Sequence, residues 1–249
     1  MVPAVDIVIP VLNEEKGLPQ SMMILSQFLH DNLSRNPWRI VIADNGSTDN
    51  TGSVSEMLAQ KYPGISYVYI PQRGRGRALR TAWLESDADI VSYMDVDLST
   101  DLNSFPRLIQ AIEEGYDIAI GSRLSARAKV RRSLKREVIS RSYNMMIKSL
   151  FFVSFSDAQC GFKAVSRNAA QALVPLVKNN NWFFDTELLI IAAKRGFRIR
   201  EIPVDWVEDP DSRVKVLRTA WEDFKGLMRL RFGGIPSVPA NVMAGRNST

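Results

Sequence analysis

The sequence has little cysteine and no long apolar segment. Its only cysteine is Cys160, so no disulfide can form within the chain, and we expect a reducing compartment. A membrane-spanning helix needs about 18 apolar residues in a row, whereas no apolar run approaches that length, and the patch at residues 150–153 is far too short. We expect no signal peptide, because the first predicted strand starts at Val5 without a basic and an apolar segment before it. The sequence therefore argues against a disulfide-stabilised domain and a bilayer-spanning domain.

The composition is that of an ordinary globular protein with an excess of positive charge. Of the 249 residues, 45% are hydrophobic and 24% are charged, and the formal net charge is +5. A basic chain favours an anionic partner, and the candidates are a nucleotide, a phospholipid surface and a nucleic acid.

Basic residues are concentrated in one segment, between Arg123 and Lys148. Seven lysines and arginines lie between these two positions, against the single acid Glu137. They are Arg127, Lys129, Arg131, Arg132, Lys135, Arg136 and Arg141. Apolar residues follow at 145–146 and 150–152. A helix that combines cationic and exposed apolar residues is attracted to an anionic membrane surface, and a solvated basic face is the alternative.

Strands and helices alternate along the first half of the chain. The apolar patterns predict strands at residues 5–10, 38–43, 65–70, 90–99 and 117–123. Helices are predicted at 21–33, from the turn at 44–49 to Lys61, at 78–85 and at 105–114. The second half contains predicted helices at 135–152, 169–176, 184–195 and 212–231, and strand-like segments at 156–165 and 199–207. Such alternation is typical of a parallel sheet with helices on both faces, whose ligands bind beyond the carboxyl ends of the strands.

Two carboxylates, Asp95 and Asp97, end the predicted strand at residues 90–99. Positions i and i+2 of a strand lie on the same face, so we expect both side chains to converge. Converging carboxylates repel each other, and a hard cation such as Mg²⁺ or Mn²⁺ is their usual counter-charge. The alternative is that both residues only open the turn into the next helix, with Asp101 or Ser99 as its cap.

Four motifs in a fixed order resemble a known family. They occupy residues 8–15, 44–49, 95–97 and 157–163. Together they resemble a family 2 glycosyltransferase of the polyprenyl-phosphate (dolichyl-phosphate) sugar synthase branch, over roughly residues 5–231. Within this branch the motifs at 160–163, 184–188 and 201–206 are more similar to the dolichyl-phosphate β-glucosyltransferase type than to the mannosyl type.

The resemblance implies a fold and a division of the chain. The fold would be α/β of the glycosyltransferase A type, a Rossmann-like nucleotide-sugar fold with a mostly parallel twisted sheet and helices on both faces. We expect one catalytic domain over residues 1–232, with a nucleotide-sugar-binding half at 1–122 and an acceptor-binding half at 123–232. Residues 233–249 are expected to form a flexible tail, since they are rich in Gly, Pro, Ser and Asn.

The resemblance also assigns residues to the donor. Pro10, Asn13, Glu15, Asp44, Ser47, Arg75, Asp95, Arg213 and Lys215 are expected to bind the nucleotide sugar. Asp44 could accept a hydrogen bond from the N3–H group of uracil. The guanidinium of Arg75 could donate two hydrogen bonds to the oxygens of a diphosphate. The alternatives are a polar helix entry for Asn13 and Glu15, a turn and cap for Asp44, and a solvated basic turn for residues 73–77.

The metal site implied by the resemblance consists of Asp97, Ser99 and Asp95. Serine is a weaker metal ligand than a carboxylate, so Asp101 or water is a further candidate for the shell. A bound Mg²⁺ or Mn²⁺ would neutralise the departing nucleotide diphosphate.

On the acceptor side, the resemblance places Arg123, Arg136 and Ser140 at the lipid phosphate, with Gln159 and Lys163 in the adjoining motif. A phosphate monoester is already anionic, so it needs alignment and screening of its charge rather than a general base. We therefore predict no catalytic histidine and a structural role for His30, the only one. Asp185 is expected to touch the metal or the sugar, and the alternative is that it caps a helix.

These observations predict a metal-dependent inverting transferase that moves a hexose or N-acetylhexosamine from a UDP-sugar to polyprenyl phosphate. The alternatives are a family 2 enzyme with a sugar hydroxyl as acceptor, for which Asp185 would be the base, and one with a GDP-mannose donor. A nucleotidyltransferase lacks support because the glycine-rich start is missing, and a basic nucleic-acid-binding module lacks a binding motif, so no nucleic acid is expected. We expect the chain at the cytoplasmic face of a membrane, bound peripherally or recruited by a membrane partner protein.

Overall fold

A computed structural model of the protein describes residues 2–208 and 216–238. The strands are β1 (Val5–Val11), β2 (Trp38–Asp44), β3 (Ile65–Tyr69), β4 (Ile90–Met94), β5 (Ile118–Ser122), β6 (Val130–Arg131), β7 (Phe162–Ser166), β8 (Ile199–Pro203) and β9 (Trp206–Val207). The helices are α1 (Leu18–Asn32), α2 (Thr51–Lys61), α3 (Arg75–Leu84), α4 (Phe105–Glu113), α5 (Leu134–Phe151), α6 (Arg167–Leu173), α7 (Phe184–Lys194) and α8 (Val216–Gly233). Two short 3₁₀ turns lie at Leu102–Ser104 and Val174–Leu176.

Seven strands form one mixed sheet in the order β3-β2-β1-β4-β7-β5-β8. All neighbouring pairs are parallel except those of β7, which runs antiparallel to both β4 and β5. The sheet therefore continues across the boundary that the sequence placed at residue 122, and the predicted mostly parallel sheet is confirmed. β6 and β9 form a separate two-stranded parallel sheet.

Apolar side chains cover both faces of the sheet. Along β2, Ile40 and Ile42 belong to one core cluster, and Val41 and Ala43 belong to the other. The two clusters lie on opposite faces because strand side chains alternate, and burial on both faces explains why these strands read as continuous apolar runs. The predicted helices on both faces are thereby confirmed.

Several predicted boundaries were wrong, most of them next to the polar loops. The strand predicted at 90–99 ends at Met94, and the segment predicted at 156–165 is a strand only over Phe162–Ser166. The strand predicted at 199–207 is divided into β8 and β9, and β6 was not predicted. Beyond these strand ends, loop residues bond to other segments: the Ser99 carbonyl accepts from the Val207 N–H, and the Ser156 N–H donates to the Glu201 carboxylate.

The C-terminal part agrees with the prediction only in outline. The predicted final helix is present as α8, but its predicted start at Ser212 lies outside the described residues. Gly233, the first residue of the predicted tail, still belongs to α8, and residues 239–249 lie outside the described part. Among the helices that the structure describes, none has the length and apolar character needed to cross a membrane.

Candidate active site

The loops after β1 and β2 are joined to each other at the carboxyl end of the sheet. Asn13 has a left-handed backbone with φ of 56°. Its backbone N–H donates to Ser47 Oγ at 2.9 Å, and its side-chain Oδ1 accepts from the Thr48 N–H at 2.8 Å. Pro10 stands in register with Ala43, directly beside Asp44. The structure thus brings the predicted residues for the base and ribose together.

Asp44 and Glu15 hold this loop pair in shape. The buried Asp44 accepts from the Ser47 N–H at 2.9 Å and lies 3.4 Å from the Tyr67 hydroxyl. Burial and the neighbouring Asp44 charge raise the pKa of Tyr67 to about 12. Glu15 Oε2 accepts from the N–H and from the side-chain amide of Asn50, at 3.0 and 2.8 Å. Asp44 thus stabilises the turn that follows β2, and base recognition by Asp44 stays a prediction.

Arg75 is fixed by two carboxylates and two aromatic rings. It is the first residue of α3, not part of a free basic turn, and its side chain is only 11% exposed. Its guanidinium donates to Asp95 at 2.6 Å and to Asp185 at 2.8 Å. The rings of Tyr93 and Trp182 lie on it, each with the centroid at 4.9 Å. The solvated-turn alternative is wrong for Arg75, whose expected contact with the diphosphate stays a prediction.

Asp185 lies beneath Arg75 in a buried network of charges. Its Oδ1 accepts from the Tyr93 hydroxyl at 2.5 Å and lies 3.1 Å from Lys163 Nζ. Lys163 has no exposed surface and also donates to the Cys160 carbonyl at 2.5 Å. The N-cap residue of α7 makes no side-chain cap, and both Asp185 oxygens are engaged elsewhere, so the alternative that Asp185 caps a helix was wrong. Its contact with the metal or the sugar stays a prediction.

The turn after β4 sets the positions of the two predicted metal ligands. Leu98 has a left-handed backbone with φ of 50°, and its N–H donates to the Asp95 carbonyl at 3.1 Å. Because β4 has already ended, this turn and not strand alternation orients the pair, so the expected strand geometry was wrong. Asp97 is exposed and accepts from the Ser99 N–H at 3.0 Å. Asp101 caps the following 3₁₀ turn through the Asn103 N–H at 3.1 Å.

The donor set suits a hard divalent cation that is shared with substrate. Asp95 is 44% exposed on its side chain, Asp97 is exposed, and both offer carboxylate oxygens, which Mg²⁺ and Mn²⁺ prefer. Within residues 2–208 and 216–238, no group of three or more His, Cys, Asp and Glu side chains could hold a metal ion. A cation bound here would therefore take its remaining ligands from phosphate oxygens and water.

Gly161 makes room for Asp95. A Cβ atom at this position would lie 1.9 Å from Asp95 Oδ2 and 2.9 Å from Arg75 Nη2. The backbone of the 157–163 motif can thus lie against the Asp95 carboxylate only because residue 161 has no side chain.

Arg123 and Asp157 form a bidentate ion pair on the acceptor side. Arg123 Nε and Nη2 donate to the two Asp157 oxygens at 2.8 and 2.9 Å, and the Arg123 backbone N–H adds a bond of 3.0 Å. Burial alone would raise the pKa of Asp157, but the Arg123 charge and hydrogen bonds hold it below its usual value. The Trp206 ring lies 5.5 Å from the guanidinium. This pairing fixes where Arg123 points.

The same loop reaches Ser140 and α8. Asn144 accepts from the Ala158 N–H and donates to the Ser140 carbonyl, both at 2.9 Å. Gln159 Nε2 donates to Asp223 Oδ2 at 2.9 Å. Ser140 Oγ is buried and has no hydrogen-bond partner in the described part of the chain. The loop at 157–160 therefore links the positions of Arg123, Ser140 and Gln159.

Arg136 lies one helical turn before Ser140, and its Nε contacts Glu208 at 2.8 Å. A cavity of about 870 Å³ lies between the turn after β4, the basic segment and residues 205–208. Its lining includes Asp97, Ser99, Lys129, Arg131 and Trp206. The predicted metal ligands thus open onto the basic segment.

Comparison with known sequences decides the family. The model of "Glycosyl transferase family 2" matches residues 6–174, which covers the strand-end loops described above. The chain belongs to glycosyl transferase family 2. The family predicted from the four motifs is therefore confirmed.

Characterised relatives of this family 2 chain belong to the predicted branch. The chain is 35% identical over 216 residues to the glycosyltransferase AglD of Haloferax volcanii. This alignment covers 86% of the chain and 35% of AglD. It is 32% identical to a dolichyl-phosphate beta-glucosyltransferase of Trichomonas vaginalis, over 84% of the chain and 65% of that protein. The human dolichyl-phosphate beta-glucosyltransferase is 30% identical, over 84% and 68%. The chain thus spans about a third to two thirds of these relatives.

Solved structures show the same fold. Glucosyl-3-phosphoglycerate synthase from Mycobacterium tuberculosis, crystallised with UDP, matches with a TM-score of 0.70 and 20% identity over 94% of the chain and 82% of its own. The same enzyme crystallised with Mn²⁺ and UDP-glucose matches with a TM-score of 0.66 and 20% identity, over 94% and 80%. The predicted glycosyltransferase A-type fold is confirmed.

Sequence reasoning missed two residues that contact predicted site residues, and some predicted ones lie elsewhere. Trp182, which contacts Arg75, stands two residues before the 184–188 motif, and Asp223 contacts Gln159. Arg213 and Lys215 lie outside the described residues. His30 is exposed on α1 beside Asp31, remote in sequence from the loops of the site. Cys160 is buried, and burial raises the pKa of its thiol to about 12, as expected for an inert thiol.

Proposed function

We propose that the chain is a metal-dependent inverting transferase that moves glucose from UDP-glucose to polyprenyl phosphate. Two of the named relatives are dolichyl-phosphate beta-glucosyltransferases, and the structural neighbour was crystallised with UDP-glucose and Mn²⁺. The same donor chemistry suits the exposed Asp97 and the loop pair at Asn13 and Asp44 in this chain.

One observation separates a phosphate acceptor from a sugar hydroxyl acceptor. A hydroxyl needs a base, and Asp185 was the candidate. Both of its oxygens are engaged by Arg75, Tyr93 and Lys163, and the side chain is 2% exposed. A buried carboxylate whose two oxygens are both occupied by contacts within the protein is not open to a substrate hydroxyl. This favours an acceptor that is already anionic, and it carries the proposal.

The residues divide the reaction between them. The loop pair at Asn13 and Asp44 would hold the nucleoside, and Arg75 would keep Asp95 in place beside the diphosphate. Arg123, Arg136 and Ser140 would bind the acceptor phosphate, whose oxygen attacks the anomeric carbon as the bond to UDP breaks. Asp95, Asp97 and Ser99 would hold a divalent cation, which supplies positive charge for the leaving diphosphate.

Transfer of label to lipid tests the function. Purified protein is incubated with UDP-[¹⁴C]glucose, Mn²⁺ and a short polyprenyl phosphate, and label entering the organic phase is counted. We expect lipid-phosphate-dependent label that ion-exchange chromatography identifies as a sugar phosphodiester. Reactions with labelled UDP-N-acetylglucosamine and GDP-mannose run in parallel. Transfer from GDP-mannose alone would overturn the donor, and label entering only water-soluble glycosides would overturn the acceptor.

We also propose that α5 binds a membrane surface peripherally. Leu134, Val138, Met145 and Phe152 are exposed along α5 and its end, with Leu134 84% and Phe152 82% exposed. Their spacings of four and seven place them on one side of the helix. Arg141 and Lys148 fall on the same stripe and are exposed. An apolar stripe with cationic residues suits an anionic bilayer surface.

Vesicle binding checks this surface. We expect the wild-type chain to sediment with vesicles containing phosphatidylglycerol. The Leu134→Glu/Val138→Glu variant should bind these vesicles at least about tenfold more weakly, because two inserted apolar side chains are lost. Met23→Glu, at an equally apolar exposed position on α1, should bind like the wild type. Equal losses in both variants would show that the α5 stripe is not the contact surface.

A further inference from the structure

A buried carboxyl group from α8 contacts the acceptor-side loop. Asp223 is 2% exposed, and its Oδ2 accepts from Gln159 Nε2 at 2.9 Å. Its Oδ1 is buried as well and has no hydrogen-bond partner in the described residues. A buried oxygen without a partner is costly for a carboxylate, but a protonated carboxyl group tolerates it better.

The surroundings favour the protonated form of Asp223. Burial raises its pKa to about 7, and the charges of Glu222 on α8 and Asp185 on α7 add to this. The nearby Tyr143 hydroxyl of α5 and the Gln159 amide oppose the shift without cancelling it. The Tyr143 hydroxyl is itself shared with Thr186 Oγ1 at 3.0 Å. Asp223 therefore changes charge near neutral pH.

Gln159 has one donor end and one acceptor end, so its orientation depends on Asp223. A carboxylate can only accept, which draws Nε2 of Gln159 toward Asp223, as the structure shows. A carboxylic acid can donate, and Gln159 can then accept through Oε1 and turn Nε2 away. Gln159 stands two residues after Asp157, the ion-pair partner of the proposed acceptor residue Arg123. Under the proposed function its free end would face the acceptor phosphate, which prefers an N–H donor over a carbonyl oxygen.

We propose that Asp223 is a positioning residue that controls, through the orientation of Gln159, how well the acceptor phosphate binds. The inference rests on the proposed function. Protonated Asp223 leaves the Gln159 N–H group for the phosphate and adds no negative charge. Ionised Asp223 claims that N–H group and repels the phosphate. Acceptor binding is therefore strong on the acid side and weakens as the pH rises.

The test compares wild type with Asp223→Asn, which is close in shape and always neutral. The KM for polyprenyl phosphate is measured from pH 6 to pH 8, with kcat and UDP affinity as separate readouts. The ratio of the wild-type KM to the Asp223→Asn KM should rise about tenfold from pH 6 to pH 8. The reason is that the fraction of wild-type protein with protonated Asp223 falls from about nine tenths to about one tenth. Titration of the lipid phosphate is common to both proteins and cancels in the ratio. kcat and UDP affinity should stay within about twofold.

A second pair of variants distinguishes positioning from a general effect of charge. In the Gln159→Ala background, Asp223→Asn should no longer change the pH dependence of the acceptor KM, because the two residues act as one unit. Parallel KM profiles for wild type and Asp223→Asn would overturn the inference, as would an unchanged effect of Asp223→Asn without Gln159.

Stability gives a readout that is independent of turnover. A carboxyl group whose pKa is higher in the folded state binds more protons there, so stability falls as pH rises from about 4 to about 7. We expect the Tm of Asp223→Asn to rise relative to wild type by several degrees between pH 5 and pH 8. A constant difference would contradict the titration of Asp223. Absence of any lipid product from the wild type would instead refute the proposed function.

Discussion

Replacement of Asp97 by alanine should lower turnover of UDP-glucose at least about a thousandfold, because charge stabilisation of the leaving diphosphate is worth several kcal/mol. Asp97 is exposed, and the turn that holds it is fixed by backbone bonds of Leu98 and by the cap at Asp101. The fold should therefore survive, with a Tm within about 2 °C of wild type, as for other exposed substitutions. Initial rates and thermal unfolding are measured on the same preparations.

The matched control is Asp87→Ala, an exposed carboxylate near the opposite end of β4 that pairs with Arg167 at 3.0 Å. Its rate should remain within about twofold of wild type, since surface ion pairs contribute little. Binding of Mn²⁺ in the presence of UDP, followed by electron paramagnetic resonance, should be weakened in Asp97→Ala and unchanged in Asp87→Ala. Near-normal turnover of Asp97→Ala would remove Asp97 from the metal site.

Sequence reasoning predicted those parts of the site that depend on local pattern. Asp44, Asp95 and Asn13 follow apolar runs, and the carboxyl ends of parallel strands meet at one edge of a sheet. Such patterns predict the strands but not the conformation of the loops that follow them. β4 ends at Met94 because the next residues form a turn in which Leu98 has a left-handed backbone. A leucine in the sequence gives no sign of this rare conformation.

The partners of the charged residues could not be predicted, because they come from distant parts of the chain. Arg75 and Asp185 are 110 positions apart, and Gln159 and Asp223 are 64 apart. Such pairs are brought together by the packing of α7 against α3 and of α8 against α5, neither of which has a local signal. A basic residue in a glycine-rich segment therefore suggested a mobile phosphate clamp, whereas Arg75 is held by two carboxylates.

Replacement of Gly161 by alanine should lower turnover about a hundredfold or more, the cost of displacing a reacting group by about 1 Å. The new Cβ would lie 1.9 Å from Asp95 Oδ2 and 2.6 Å from its Cγ, so the carboxylate must leave its position. The Arg75–Asp95 contact of 2.6 Å would break with it. Because Asp95 is partly exposed and can swing outward, we expect the Tm to fall by only about 2–6 °C.

A loss of activity larger than the loss of stability distinguishes this steric mechanism from general unfolding. Gly233→Ala is the matched control, because a Cβ at Gly233 meets no atom within 4 Å. Its rate and Tm should equal those of wild type. The affinity for UDP alone should stay within a few-fold in Gly161→Ala, since the loop pair around Asn13 is untouched, whereas the Mn²⁺ dependence of turnover should shift to higher concentration. Wild-type activity in Gly161→Ala would mean that Asp95 works from a position other than the one it occupies beside Arg75.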